Sequence, residues 1–145
     1  MQAKPKRISP IQLIHDPADA FEAVQHGDTV IVEQQGKPPV AMVDLVDLEI
    51  LRAVIDHYIR RPRFDPDVGL PDSEIEGLEG QALFDRVLSR YLADTISLGR
   101  TAEALGIPWA ELRTRLSRLG IPIKTGPTDA EGIRRDALVA ESLAS

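Results

Sequence analysis

Apolar positions along this chain fall into two rhythms, one of helical spacing and one of short β-branched runs. Asp16 followed by Pro17 is a helix start, with a side-chain acceptor at the cap and proline where its missing N–H costs nothing. The stripe Ala20, Phe21, Val24 continues it and Gly27 stops it. Thr29-Val30-Ile31-Val32-Glu33 predicts a strand, Gln34-Gln35-Gly36-Lys37-Pro38 a turn, and Val40-Ala41-Met42-Val43 the returning strand of a hairpin. From about Leu45 to Arg60, Leu48, Leu51, Val54, Ile55, Tyr58 and Ile59 recur at helical spacing. A short apolar piece, Ile8-Ser9 and then Pro10 to Ile14, opens the chain. The order predicted for residues 1–60 is β-α-β-β-α, too little chain to bury much by itself, and such a module often completes its core by dimerising.

Residues 61–80 break the rhythm. Pro62, Pro66 and Pro71 interrupt helices and Gly69, Gly77 and Gly80 add backbone freedom, so the segment reads as a linker. The helical period returns at Gln81–Asp94, with Leu83, Phe84, Val87, Leu88, Tyr91 and Leu92 inward. A short helix from about Ser97 to Leu105 ends at Gly106. A second starts with Pro108 at its first position and runs to Leu119, with Trp109, Leu112, Leu116 and Leu119 as its inward stripe. Short helix, glycine turn and second amphipathic helix make a helix-turn-helix pattern. Ile121-Pro122-Ile123-Lys124 reads as extended. Thr128-Asp129-Ala130-Glu131 is a capping-box pattern that introduces a terminal helix carrying Ile133, Leu138, Val139 and Leu143. That helix either lies in a groove on another protein or folds back on the helix-turn-helix. The expected fold class is α+β, with a β-α-β-β-α module (1–60), a linker (61–80) and a small all-α helix-turn-helix domain (81–145).

Charge sharpens this division. The net charge is −6 over 145 residues, which taken alone argues against a nucleic-acid partner. Its distribution does not: residues 65–85 hold seven acids and no Lys or Arg, whereas residues 86–124 hold seven basic and three acidic side chains. Segregation of this kind bears on partners rather than on fold. The absence of cysteine removes disulfides, thiol catalysis and cysteine-containing zinc sites. His15, His26 and His57 lack metal-motif spacing, so neither metal nor cofactor is expected. No apolar run approaches the roughly 18 residues of a membrane span, and the basic start of the chain lacks the apolar stretch of a signal peptide. A cytoplasmic location and no membrane partner are the expectations. With no phosphate loop and no nucleophile elbow, the chain is not expected to be an enzyme.

The run Phe21 to Val43, with Gly27-Asp28-Thr29-Val30, then Gly36-Lys37-Pro38, then Val40-Ala41-Met42-Val43, resembles the centre of the prevent-host-death (Phd/YefM) antitoxins. Order and spacing match over about residues 7–60. The resemblance implies a module that forms a symmetric dimer, binds operator DNA, represses its own operon and tethers a segment that neutralises a toxin. Two departures stand out: the family's arginines before the turn glycine are replaced by Glu33-Gln34-Gln35, and Pro17 shortens or kinks the first helix. Residues 96–123, with Ile96-Ser97-Leu98-Gly99-Arg100, Ala102-Glu103, Gly106 and Gly120-Ile121-Pro122, resemble a small prokaryotic family of uncharacterised helix-turn-helix proteins. Genes of that family often accompany PIN-domain ribonuclease toxins.

Candidate contacts follow. Arg113, Thr114, Ser117 and Arg118 line the outward face of the second helix, with Arg115 at its edge, and suit phosphates and base edges. Arg100 and the basic residues Lys4, Lys6 and Arg7 join them as DNA contacts. Asp65, Asp67, Asp72, Glu74 and Glu76 form an acidic mate for the basic site of a ribonuclease toxin. The expected function is a type II antitoxin that binds operator DNA as a homodimer through the N-terminal module and neutralises a cognate, PIN-type toxin. The alternatives are a toxin-neutralising module without DNA binding and a plain helix-turn-helix transcription factor.

Overall fold

The computed structural model describes residues 5–124. These comprise a three-stranded sheet and seven helices, a mixed α+β and mostly helical chain. Two compact units meet inside one helix, between Leu48 and Glu49.

The first unit opens with β1 (Lys6–Ile8), then α1 (Pro10–His15), α2 (Pro17–Gln25), β2 (Val30–Val32) and β3 (Val40–Met42). The order is therefore β-α-α-β-β, with the single expected helix preceded by a second. Helix α1 starts by a capping box: the Gln12 N–H donates to Ser9 Oγ, and Gln12 Oε1 accepts from the Ser9 N–H. It ends at Asp16, whose carboxylate accepts the Asp19 N–H and caps α2 in turn. Strand β1 pairs parallel to β2, and β2 antiparallel to β3 across the Gly36 turn, with Val30 opposite Lys6 and Met42. Ala20 and Val24 of α2 pack on Val30, flanked by Ile8, Leu13, Ala23 and Met42. Strand alternation puts Arg7, Ile31 and Ala41 on the opposite face of the sheet.

Helix α3 (Leu45–Arg60) leads into the second unit, which continues with α4 (Asp72–Ile75), α5 (Gly80–Leu92), α6 (Leu98–Leu105) and α7 (Trp109–Arg118). Helix α5 packs on α4 and α6, and α6 on α7. The core is aliphatic, as the scarcity of aromatics requires. Val87, Leu88, Leu98, Leu112 and Leu116 are fully buried, and Tyr91 closes the bottom by accepting the Lys124 N–H at 2.8 Å.

Residues 61–80, expected as a linker, belong to this second unit. Leu70 is buried there, and the Glu74 carboxylate takes the Nε and Nη2 hydrogens of Arg90. Proline and glycine punctuate the strap as expected, but Leu70, the Phe64 ring beneath Arg90, and the bonds from Arg86, Arg90 and Arg100 on neighbouring helices hold it down. The terminal helix expected from Thr128 lies outside the described residues.

Candidate nucleic-acid interface

The helix-turn-helix is built by local signals at each corner. Ser97 caps α6 by accepting the Arg100 N–H, and the buried Thr101 hydroxyl donates to the Ser97 carbonyl at 2.7 Å. Helix α6 closes with paired bonds, Ile107 N–H to Ala102 O and Gly106 N–H to Glu103 O. They require Gly106 to take φ 69°, ψ 27°, a conformation that costs an L side chain. Pro108 then sits at the cap of α7, one position earlier than the expected first helical residue. The same paired closure, Gly120 N–H to Ser117 O and Ile121 N–H to Leu116 O, ends α7 and buries Ile121.

Leu112 and Leu116 point inward, with Leu119 half-buried behind them. Arg113, Thr114 and Ser117 are exposed, and Arg118 is half-exposed. Four helical residues of one ten-residue helix thus present one guanidinium, two hydroxyls and a second guanidinium on its outer side. The Arg113 guanidinium lies over the Trp109 ring, 5.4 Å from its centroid. Thr114 Oγ1 donates to the Ala110 carbonyl at 2.9 Å, which keeps its lone pairs outward. Arg115 is occupied by Glu111 at 3.0 Å.

The remaining sequence-derived DNA contacts are engaged within the fold. Arg100 Nη2 donates to Leu70 O at 2.7 Å and to Asp72 Oδ1 at 2.8 Å, and Nη1 reaches Glu103. Lys6 pairs with Asp19 of α2, and Arg7 with Glu33 across the open sheet face. Lys4 lies outside the described residues. Exposed pairs of this kind are weak and leave the cations within reach of solvent.

The acidic set divides too. Asp65, Asp67 and Glu76 are exposed, Asp65 spending one oxygen on the Asp67 N–H. Asp72 reaches Arg100 from the surface, with most of its side chain in solvent. Glu74 is drawn in against Arg90, itself stacked 4.0 Å from the Phe64 ring centroid. Three of the five acids therefore face outward, and Asp72 and Glu74 serve the fold. Sequence reading had no signal for this, because the partners lie 28 and 16 residues away.

One buried polar pair was also missed. His57 is buried, and its Nδ1 lies 2.7 Å from Ser89 Oγ on α5. Burial, then the positive charge of Lys124, hold the imidazole below its ordinary value, with the carboxylate of Asp56 opposing them. The folded chain therefore takes up its His57 proton at lower pH than the unfolded chain. This histidine's contribution to stability is complete above the unfolded value of 6.5 and is lost as pH falls from there through the lower folded value. Thermal melts between pH 7.5 and 5.5 are expected to show a falling midpoint, and His57→Gln to flatten the fall. An unchanged slope in the variant would place the proton elsewhere.

Among the described residues no cluster of His, Asp or Glu has a metal site's arrangement, and no helix is long and apolar enough to cross a membrane. Comparison with protein-family models, curated proteins and solved structures finds no match to this chain.

Proposed function

We propose that the chain is a DNA-binding protein of the helix-turn-helix class. The observation that carries this reading is α7 itself: Leu112 and Leu116 anchor the helix through α6, while Arg113, Thr114, Ser117 and Arg118 are left on its outer side. Arg113, Ser117 and Arg118 can donate to phosphate oxygens and to base edges in a major groove, while Thr114, whose hydroxyl hydrogen goes to Ala110 O, can accept from a base edge. Seven basic residues between 86 and 124 supply a local positive field despite the negative total.

Within that class, the particular role proposed is a type II antitoxin that represses its own operon as a homodimer and neutralises a cognate toxin of the PIN-ribonuclease kind. Its support is the Phd/YefM-like run through Gly27 and Gly36-Lys37-Pro38, set in a small α/β unit with Ile11, Ile14, Phe21 and Val40 exposed. Apolar side chains left in water on a unit this small suit a second copy as cover. Asp65, Asp67 and Glu76 are the acids free to meet a basic nuclease surface.

The test is binding of the full chain to the DNA immediately upstream of its gene. Affinity is expected to exceed that for a random duplex and to fall steeply as salt rises, with a slope set by the phosphates contacted. A stable complex with the neighbouring gene's product is expected alongside. A second reading, toxin neutralisation without DNA binding, is favoured by one observation: Lys6, Arg7 and Arg100 each already face a carboxylate. A complex with that product and no preference for the upstream duplex would select it.

A further inference from the structure

We propose that Arg113 is the residue of α7 that reads base sequence, taking the O6/N7 edge of a guanine in duplex DNA, and that Trp109 is its positioning residue. This rests on the DNA-binding reading above.

The contacts around α7 set Arg113 apart from Arg115 and Arg100. Arg115 is spent on Glu111, and Arg100 on α6 is spent on Leu70 O, Asp72 and Glu103. Arg113 is exposed, and no carboxylate among the described residues pairs with it. Its guanidinium lies over the ring of Trp109, one helical turn earlier, 5.4 Å from the centroid. Stacking restrains the plane of a guanidinium without consuming any of its N–H donors. A salt bridge would orient the group equally well but would occupy the donors that a base must meet. Arg113 thus carries a full set of donors in a restrained fork, and less ordering remains to be done when it binds.

Trp109 has the features of such a platform. It is half-buried at the first turn of α7, and its Nε1–H is enclosed with no acceptor among the described residues. Its polar atom therefore does not fix the ring, and one face of that ring lies beneath Arg113. A leucine would fill an aliphatic corner of this core without an enclosed N–H.

Guanine is the ligand that this geometry suits. Its O6 and N7 are adjacent acceptors in the major groove and match two parallel N–H bonds from one guanidinium. A phosphate also accepts two N–H bonds from one guanidinium, so the position of Arg113 on the helix separates the two ligands. Arg113 also lies in the first half of α7, and recognition helices bring their N-terminal residues to base edges.

The experiment enriches duplexes with a randomised core on the full-length chain, then measures binding to single-base variants of the enriched sequence. Wild type is expected to select a guanine whose replacement weakens binding about tenfold or more. Arg113→Ala should lose that preference to within about twofold, with random-duplex affinity and salt slope unchanged. Trp109→Leu should weaken the same preference at the same position, and Trp109→Phe, which keeps a stacking face, should restore it. These readouts compare bases within one variant, so a general loss of stability does not mimic them. Retained guanine preference in Arg113→Ala overturns the assignment. So does Arg113→Ala lowering affinity for every duplex alike with a salt slope smaller by about one, the mark of a phosphate contact. Equal preference in Trp109→Leu and wild type overturns the part given to Trp109. If wild type enriches no sequence, the DNA-binding reading has itself failed and this assignment falls with it.

Discussion

Arg90→Ala is expected to lower the stability of the second unit by about 2–3 kcal/mol, read as a fall in thermal midpoint of about 10–20 °C. The side chain is almost wholly enclosed. Its Nε donates to Glu74 Oε2 at 3.0 Å, its Nη2 to Glu74 Oε1, and the guanidinium carbon lies over the Phe64 ring, 4.0 Å from its centroid. Truncation removes three contacts together and leaves the Glu74 carboxylate in a site where about a fifth of its side chain reaches water. An unpaired charge there costs more than the pair contributes, so the loss falls near the lower side of what breaking a buried ion pair costs. Glu74→Ala in the Arg90→Ala background should recover part of the loss, because the stranded charge is then gone. A change below about 1 kcal/mol in Arg90→Ala would mean that the ion pair contributes nothing measurable to holding the strap. The same result bears on function: loss of toxin binding in a Glu74 variant would follow from a loosened strap, whereas Asp65, Asp67 and Glu76 can be changed without touching the core.

Replacing Arg113 and Arg118 together by alanine is expected to reduce affinity for the upstream duplex on the order of a hundredfold at low salt. Both emerge on the outer side of α7, clear of Leu112 and Leu116, so the thermal midpoint should move by no more than a few degrees. A titration by fluorescence anisotropy at several salt concentrations separates the two losses. A phosphate contact removed from Arg118 lowers the slope of log affinity against log salt by about one, while a base contact removed from Arg113 leaves it unchanged. Unaltered affinity in the double variant would remove α7 from the interface and favour the reading in which the chain meets only protein.

Much of the local architecture is legible in order along the chain. Helices α2, α3, α5, α6 and α7 stand within one or two residues of the apolar spacing that predicts them, and the Gly36 hairpin joins the two β-branched runs. Their signals act over three or four residues: Asp16 and Pro17 start a helix, Gly106 and Gly120 stop one. Even α1, which the apolar spacing did not reveal, was written locally, as Ser9 and Gln12 at capping-box distance with Pro10 between them. The outward face of α7 was likewise readable, because helical period alone decides which residues share a side with Leu112 and Leu116.

Partnership was not readable. The sequence by itself determined the elements, the corners of the helix-turn-helix and the charge of each stretch. Only tertiary structure decided that Glu74 belongs to Arg90, Asp72 to Arg100, Arg7 to Glu33 and Ser89 to His57. The same acids read as a free decoy or as a structural strap depending on which arginines the fold brings to them. The physical reason is range: caps, turns and amphipathic faces are set by hydrogen bonds and side-chain spacing within a turn of chain, whereas an ion pair or buried polar bond forms between groups 16 to 32 residues apart that meet only after the helices have packed.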